Sequence, residues 1–183
     1  MDETPHLVAS RVCGDCIVCC KVPSIDDPLL TKPAGELCRN CSGAGCTIYT
    51  ARPQTCRDFH CQWRYLDLLD ENWRPDRSGV LISTKTLDDG QHGENGVHGK
   101  AAMVMVVFGD HAVVFDDGFA RLVAISIDRG VEVVLSLPYG AGLRAHETAL
   151  RPFVAEAVAS GSLAEVKAGI RAAYDSIWTG GAT

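Results

Sequence analysis

No cysteine occurs in the last 122 residues of this 183-residue chain; all nine lie between Cys13 and Cys61. Other absences narrow what the chain can do. It has no basic excess: 17 Lys+Arg stand against 23 Asp+Glu, a formal net charge of −6. The positive face that a general nucleic-acid binder holds against phosphates is therefore not expected. It has no long apolar run either. The most apolar stretch, Ala101 to Phe108, is eight residues long, against the ~20 needed to span a bilayer. The opening Met1-Asp2-Glu3-Thr4-Pro5-His6-Leu7 carries no basic stretch leading into an apolar one, so it does not read as a secretory signal. These features predict a cytoplasmic protein with no membrane or nucleic-acid partner. The G-x-S-x-G elbow, the G-x4-G-K-[ST] phosphate loop and the H-E-x2-H helix are also missing, which removes three common catalytic frames.

What is present divides in two. Length predicts one domain with an appendage, and a 46% hydrophobic share supplies one core. Residues 1–77 form a cysteine-rich module interrupted by Pro23, Pro28, Pro33, Pro53 and Pro75, too broken to build an ordinary core and in need of staples. Within it, Trp63, Leu66, Leu69 and Trp73 recur at helical spacing. Residues 78–183 read as a small α+β domain. Its expected strands are Val80-Leu81-Ile82, Ala101 to Phe108, Ala112 to Phe115 after a Gly109-Asp110 hairpin turn, and Val131 to Leu137. Arg121 to Ile127 fits strand and helix equally. One helix is expected over 146–160, and another from a Ser162 cap with Glu165 at the capping-box position to about Trp178. Their shared apolar face, Leu150, Phe153, Val154, Ala157 and Val158, is core or a surface for a protein partner. The fold class is thus α+β: a cysteine-rich metal-binding N-terminal module packed on a small antiparallel sheet with C-terminal helices. The glycine-spaced loop over 88–100 carries His92, Glu94 and His98; it reads as a β-connection rather than a second metal site.

The cysteines fall into three groups: Cys13, Cys16, Cys19 and Cys20 as C-x2-C-x2-C-C; Cys38 and Cys41 followed by Cys46; and Cys56 with Cys61. In a reducing compartment such a cluster points to metal ligation rather than disulfides. A C-x2-C step turns two thiolates toward one ion and leaves backbone amides free for the sulfurs. The pairs Cys13/Cys16 and Cys38/Cys41 are separated by 21 residues, near the spacing of four-cysteine zinc sites. The even spacing of Cys13, Cys16 and Cys19 equally fits an iron–sulfur loop. All nine are candidate ligands, enough for one cluster, or for two four-thiolate sites with one left over.

The Cys13–Cys20 signature, with Cys46-Thr47-Ile48-Tyr49, Arg52-Pro53, Cys56-Arg57, Phe59 and Cys61, resembles the cysteine-cluster family of CxxCxxCC zinc- or iron-chelating domains. The resemblance covers about residues 13–82, through Arg74-Pro75-Asp76-Arg77-Ser78-Gly79 into the first strand. Some relatives carry the module in a lysine methylase acting on flagellin, so the resemblance implies an iron–sulfur role in protein modification as an alternative.

Around the cysteines, Arg57 is the candidate cation for a cluster sulfur, since four thiolates on one divalent ion leave about −2 of charge to offset. Pairing with Asp58 or Asp67 is the competing expectation for it. His60 is either a further ligand or a helix-start residue, and Tyr49, Phe59 and Trp63 are expected to floor the site. The leading function is metal binding, of zinc or an iron–sulfur cluster, in a structural, regulatory or delivery role. The second is an iron–sulfur enzyme or enzyme component for redox or protein-modification chemistry.

Overall fold

The computed structural model describes residues 6–87, 92–93, 96–97, 100–139 and 145–179. Its frame is a four-stranded sheet in the order β3–β6–β7–β8, where β3 is Val80–Leu87, β6 Lys100–Val107, β7 Glu132–Pro138 and β8 Ala145–Ala149. Two two-stranded sheets accompany it: β1 (Ile25–Asp27) with β2 (Leu30–Lys32), and β4 (His92–Gly93) with β5 (Gly96–Val97). Three short helices lie before the frame: α1 (Val18–Lys21), α2 (Gln54–Asp58) and α3 (Pro75–Ser78). Of three longer ones, α4 (Asp117–Asp128) lies between β6 and β7, and α5 (Arg151–Ser160) and α6 (Leu163–Thr179) follow β8. The chain is α+β, with a small antiparallel sheet, a four-stranded sheet and C-terminal helices.

The large sheet is mixed rather than antiparallel throughout. β6 runs parallel to β7, and α4 supplies the crossover that a parallel pair requires. The expected Gly109–Asp110 hairpin is therefore absent. The Asp110 carboxylate instead accepts the Ala112 amide at 2.9 Å and caps a 3-10 turn over His111–Phe115, so an N-cap aspartate stands where the sequence was read as a turn. The ambiguous 121–127 stretch lies in α4. Residues 146–149, read as helix, form β8; the helix starts at Arg151 with Pro152 in its first turn, where a proline ring fits best. The Ser162 cap is present, its Oγ accepting the Glu165 amide at 3.3 Å.

Strand alternation sends side chains to two faces. Val80, Ile82, Met103, Met105, Val133, Leu135 and Leu137 share one core with α4, α5 and α6. On the other face Leu81 packs with Val18 and Val22, so the cysteine-bearing segment docks there. The helical stripe over 63–73 is not a continuous helix but two 3-10 turns, Gln62–Arg64 and Glu71–Trp73. The Arg11 guanidinium takes the carbonyls of Trp63, Leu66, Asp67 and Leu69, acceptors that a longer helix would have used internally. Trp63 and Leu69 are nevertheless buried in the main core. Of the loop over 88–100, Glu94 and His98 lie outside the described residues.

Candidate metal centre

The first knuckle is built by a glycine. Gly14 has φ +56°, a left-handed conformation that costs an L side chain, and it lets the Cys16 amide turn back to the Cys13 carbonyl at 3.0 Å. Arg74 braces the loop through ion pairs with Asp15 and Asp76. Cys19 and Cys20 then lie on α1. Cys61 arrives from far along the chain because Arg11 and the Val8 amide, which donates to the Arg64 carbonyl at 2.8 Å, tie the segment before Cys13 to the turns after Cys61.

The second group gathers around the β1–β2 hairpin. The Cys38 amide donates to the Cys20 carbonyl at 2.8 Å, and the Cys41 amide to the Cys38 carbonyl at 2.9 Å. The Cys38 sulfur accepts the Asn40 amide at 3.4 Å; Cys41 pairs with Cys46 in an isolated bridge. Cys56 on α2 is brought in by Thr55, whose hydroxyl donates to Asp27 at 3.0 Å. Cys20, Cys41 and Cys56 pack on Ile25, Leu30 and buried Cys38, whereas Cys16 and Cys61 pack on Val18, Val22 and Leu81.

Electrostatics follow the same division. A Cys20 hydrogen bond holds the Cys19 thiol below its ordinary value, against burial and the neighbouring charges of Cys13, Cys16 and Cys61. The same bond, from the other side, pushes Cys20 up. Burial raises Cys61 to about 11, with Cys13 and Cys16 adding repulsion and the Arg64 and Trp63 amides opposing it. Burial raises Cys16 too, offset by the Val18 amide. Cys56 is raised by burial and then by Cys38, Cys20 and Cys46. Amide-to-sulfur bonds stabilise the ionised thiolate, the form that binds metal.

Each group has its own cation. Arg64 Nη1 donates to Cys13 Sγ at 3.4 Å, while its buried Nε has no hydrogen-bond partner. Lys32 is 5% exposed, and its ammonium donates to the carbonyls of Lys21 (3.0 Å), Pro33 (2.8 Å) and Glu36 (2.8 Å). Burial lowers its pKa, and the charges of Cys38 and Cys20 pull it back up. A buried charge needs compensation; the three carbonyls provide it in part, and the Cys20 and Cys38 sulfurs are near enough to add to it when ionised. An orphaned guanidinium nitrogen on the arginine that contacts Cys13 likewise fits a site meant to carry net negative charge.

The candidates from the sequence are distributed as follows. Arg57 is exposed on α2, and the guanidinium that reaches a sulfur is Arg64's. Lys32 had no signal beyond strand alternation, which puts it on the same face as Leu30 in the burial pattern. Of the expected aromatic floor, Phe59 packs in one apolar group with Cys16 and Cys61, and Tyr49 joins it in lining a space beside Cys20, Cys38, Cys46 and Cys56. Trp63 turns to the main core and donates to the Asp70 carbonyl at 3.0 Å; Tyr49 is 62% exposed under Arg52. His60 makes an edge contact with Tyr65, and burial lowers its pKa, with Arg64 adding to the effect.

All nine cysteines are free thiols. Among the described residues, no three or more His, Cys, Asp or Glu side chains are placed so that they could hold a metal ion as they stand. No described helix is long and apolar enough to cross a membrane. No protein-family model, curated protein or solved structure matches the chain.

Proposed function

We propose that the chain is a metal-binding protein that holds zinc or an iron–sulfur cluster through its clustered cysteines, in a structural, regulatory or delivery role, in the cytoplasm. The single observation that supports this most is the cationic environment of the thiols: the orphaned Arg64 Nε beside Cys13 and the buried Lys32 beside Cys20 and Cys38. Three backbone carbonyls hold the Lys32 ammonium, but among the described residues no carboxylate is ion-paired with either cation; ionised sulfurs would supply the opposite charge. Amide bonds to the sulfurs of Cys16, Cys38 and Cys61 are the outer-shell contacts that orient thiolate ligands. A bound metal supplies the cross-link that residues 8–61 lack as an independent core, so binding energy becomes folding energy.

The test is anaerobic purification of the full chain, with zinc, iron and acid-labile sulfide measured beside the visible spectrum. Zinc without sulfide supports a structural or delivery role; iron with matching sulfide and a brown chromophore supports redox or protein-modification chemistry. A chain that carries no metal and takes up neither zinc nor iron overturns the reading.

A further inference from the structure

Two cavities border the cysteines, and they differ in size and lining. The smaller, about 30 Å³, is lined by four of them, Cys13, Cys16, Cys19 and Cys61, together with Val18, Phe59, His60, Pro75 and Leu81. The larger, about 150 Å³, is lined by Cys20, Cys38, Cys46 and Cys56, and Cys13, Cys16 and Cys19 also border it. Cys61 borders only the small space, and Cys38, Cys46 and Cys56 only the large one. The apolar packing divides the same way, as do the cations: Arg64 on Cys13, Lys32 beside Cys20 and Cys38.

We propose that the chain holds two separate metal centres: a single divalent ion bound by Cys13, Cys16, Cys19 and Cys61, and a second centre bound by four of Cys20, Cys38, Cys41, Cys46 and Cys56. This rests on the metal-binding reading and assigns its ligands. The peptide between Cys19 and Cys20 divides the two sets. The two neighbouring thiols share a hydrogen bond, so the boundary runs through that contact: Cys19 borders both spaces and Cys20 only the larger one. Size decides what the small space takes. One water-sized sphere needs roughly 10–15 Å³, so about 30 Å³ matches one ion better than a multi-iron cluster with its bridging sulfides. Four thiolates on one closed position select a soft, tetrahedral divalent ion such as zinc. The larger space has room for a bulkier centre, and the second set, in which Cys41 meets Cys20 without lining the space, leaves one of its five sulfurs over. Binding draws the sulfurs of each set inward and releases one proton to water for every thiol that ligates.

The experiment uses the full-length wild-type chain loaded with zinc. Native mass spectrometry counts the ions, and a limiting chelator then withdraws them while iodoacetamide labels the thiols that become free. We expect two ions per chain and labelling in two steps, with Cys13, Cys16, Cys19 and Cys61 appearing together and Cys20 appearing with Cys38. One ion per chain, or Cys19 labelled in the same step as Cys20, overturns the partition and leaves metal binding intact. No ion at all overturns both. Cys61→Ser and Cys38→Ser should each lose one ion of the two; a variant that loses both is judged by the wild-type labelling pattern. In protein expressed with iron, Cys38→Ser that retains acid-labile sulfide overturns the single-ion assignment of the small site.

Discussion

Arg64 donates from Nη1 to the sulfur of Cys13 at 3.4 Å, a contact that spans 51 positions of sequence. It places a guanidinium at the point where the first cysteine knuckle meets the segment carrying Cys61. Arg64→Met keeps the stem and removes the charge. Loss of an outer-shell partner of a metal ligand typically lowers affinity by about 10–100-fold, and the same range is expected for zinc in this variant. Competition against a chromogenic chelator measures it, and an affinity equal to wild type would remove Arg64 from the centre.

Lys32 is the reciprocal case in the second group. Its ammonium is the donor for three backbone carbonyls, those of Lys21, Pro33 and Glu36. Lys32→Met leaves these acceptors without their donor, at a cost of about 1–3 kcal/mol for a buried group. Urea unfolding of the metal-loaded chain should show that loss. Lys32→Arg should recover only part of it, since a planar fork does not reproduce the ammonium geometry. Wild-type stability in Lys32→Met would mean that the cage contributes nothing.

Those two cations also show which parts of the site sequence could reveal. The C-x2-C spacing announced the knuckles because turn geometry is local, and the Gly14 φ of +56° is such a local feature. The partner of a sulfur is not local. Arg57 and Arg64 both flank the cysteines, and only the clasp of Arg11 on the 63–69 carbonyls decides which one turns inward. The fold was legible on the same terms. Continuous apolar runs marked β3, β6 and β7, and Ser162 marked α6. The parallel β6–β7 pair was hidden because Asp110 serves equally well as a turn residue and as an N-cap.

In the helical layer, Gly169 lets α6 approach α5. A Cβ there would meet the Phe153 carbonyl oxygen and lie 2.8 Å from Val154 Cγ1, with Val154 fully buried. Gly169→Ala should therefore destabilise the chain despite its better helix propensity, by about 1–3 kcal/mol for overpacking. Thermal unfolding tests the sign: a raised Tm would show that α5 can move away without loss.

The pair of Lys167 and Asp117, 2.6 Å apart, links α6 to the start of α4. The hydrogen bond and charge of Lys167 hold the Asp117 carboxyl below its ordinary value. A depressed carboxylate means that the unfolded chain binds the proton first as pH falls. The stabilisation is thus fully present above the ordinary aspartate value of about 3.9 and lost as pH drops through the lower folded value. Both groups are exposed, so the effect is small and salt-sensitive. Asp117→Asn should lower Tm slightly near neutral pH and match wild type at about pH 2; a difference unchanged between the two would locate its origin elsewhere.

Metal withdrawal should separate the two halves of the chain at Cys61 rather than at residue 77. Trp63, Leu69 and Trp73 belong to the core that α4, α5 and α6 complete, so those residues keep their packing without metal. Upstream, buried apolar side chains come in two small groups, Val18 and Val22 on Leu81, and Ile25 and Leu30 with Cys38. Burying a large aliphatic side chain contributes about 1.5–3 kcal/mol, and ordering one residue costs about 1–2 kcal/mol in backbone entropy alone. Four or five such side chains cannot hold residues 13–60 in place unaided. Limited proteolysis of the chelated chain should cut within that segment and leave a fragment that begins near Cys61 and keeps its helical circular dichroism. Single serine variants at Cys13, Cys16, Cys38 and Cys41 should move part of the way toward the same pattern. If all four retain wild-type metal content and resistance, those thiols are not ligands, and packing rather than metal must order the segment.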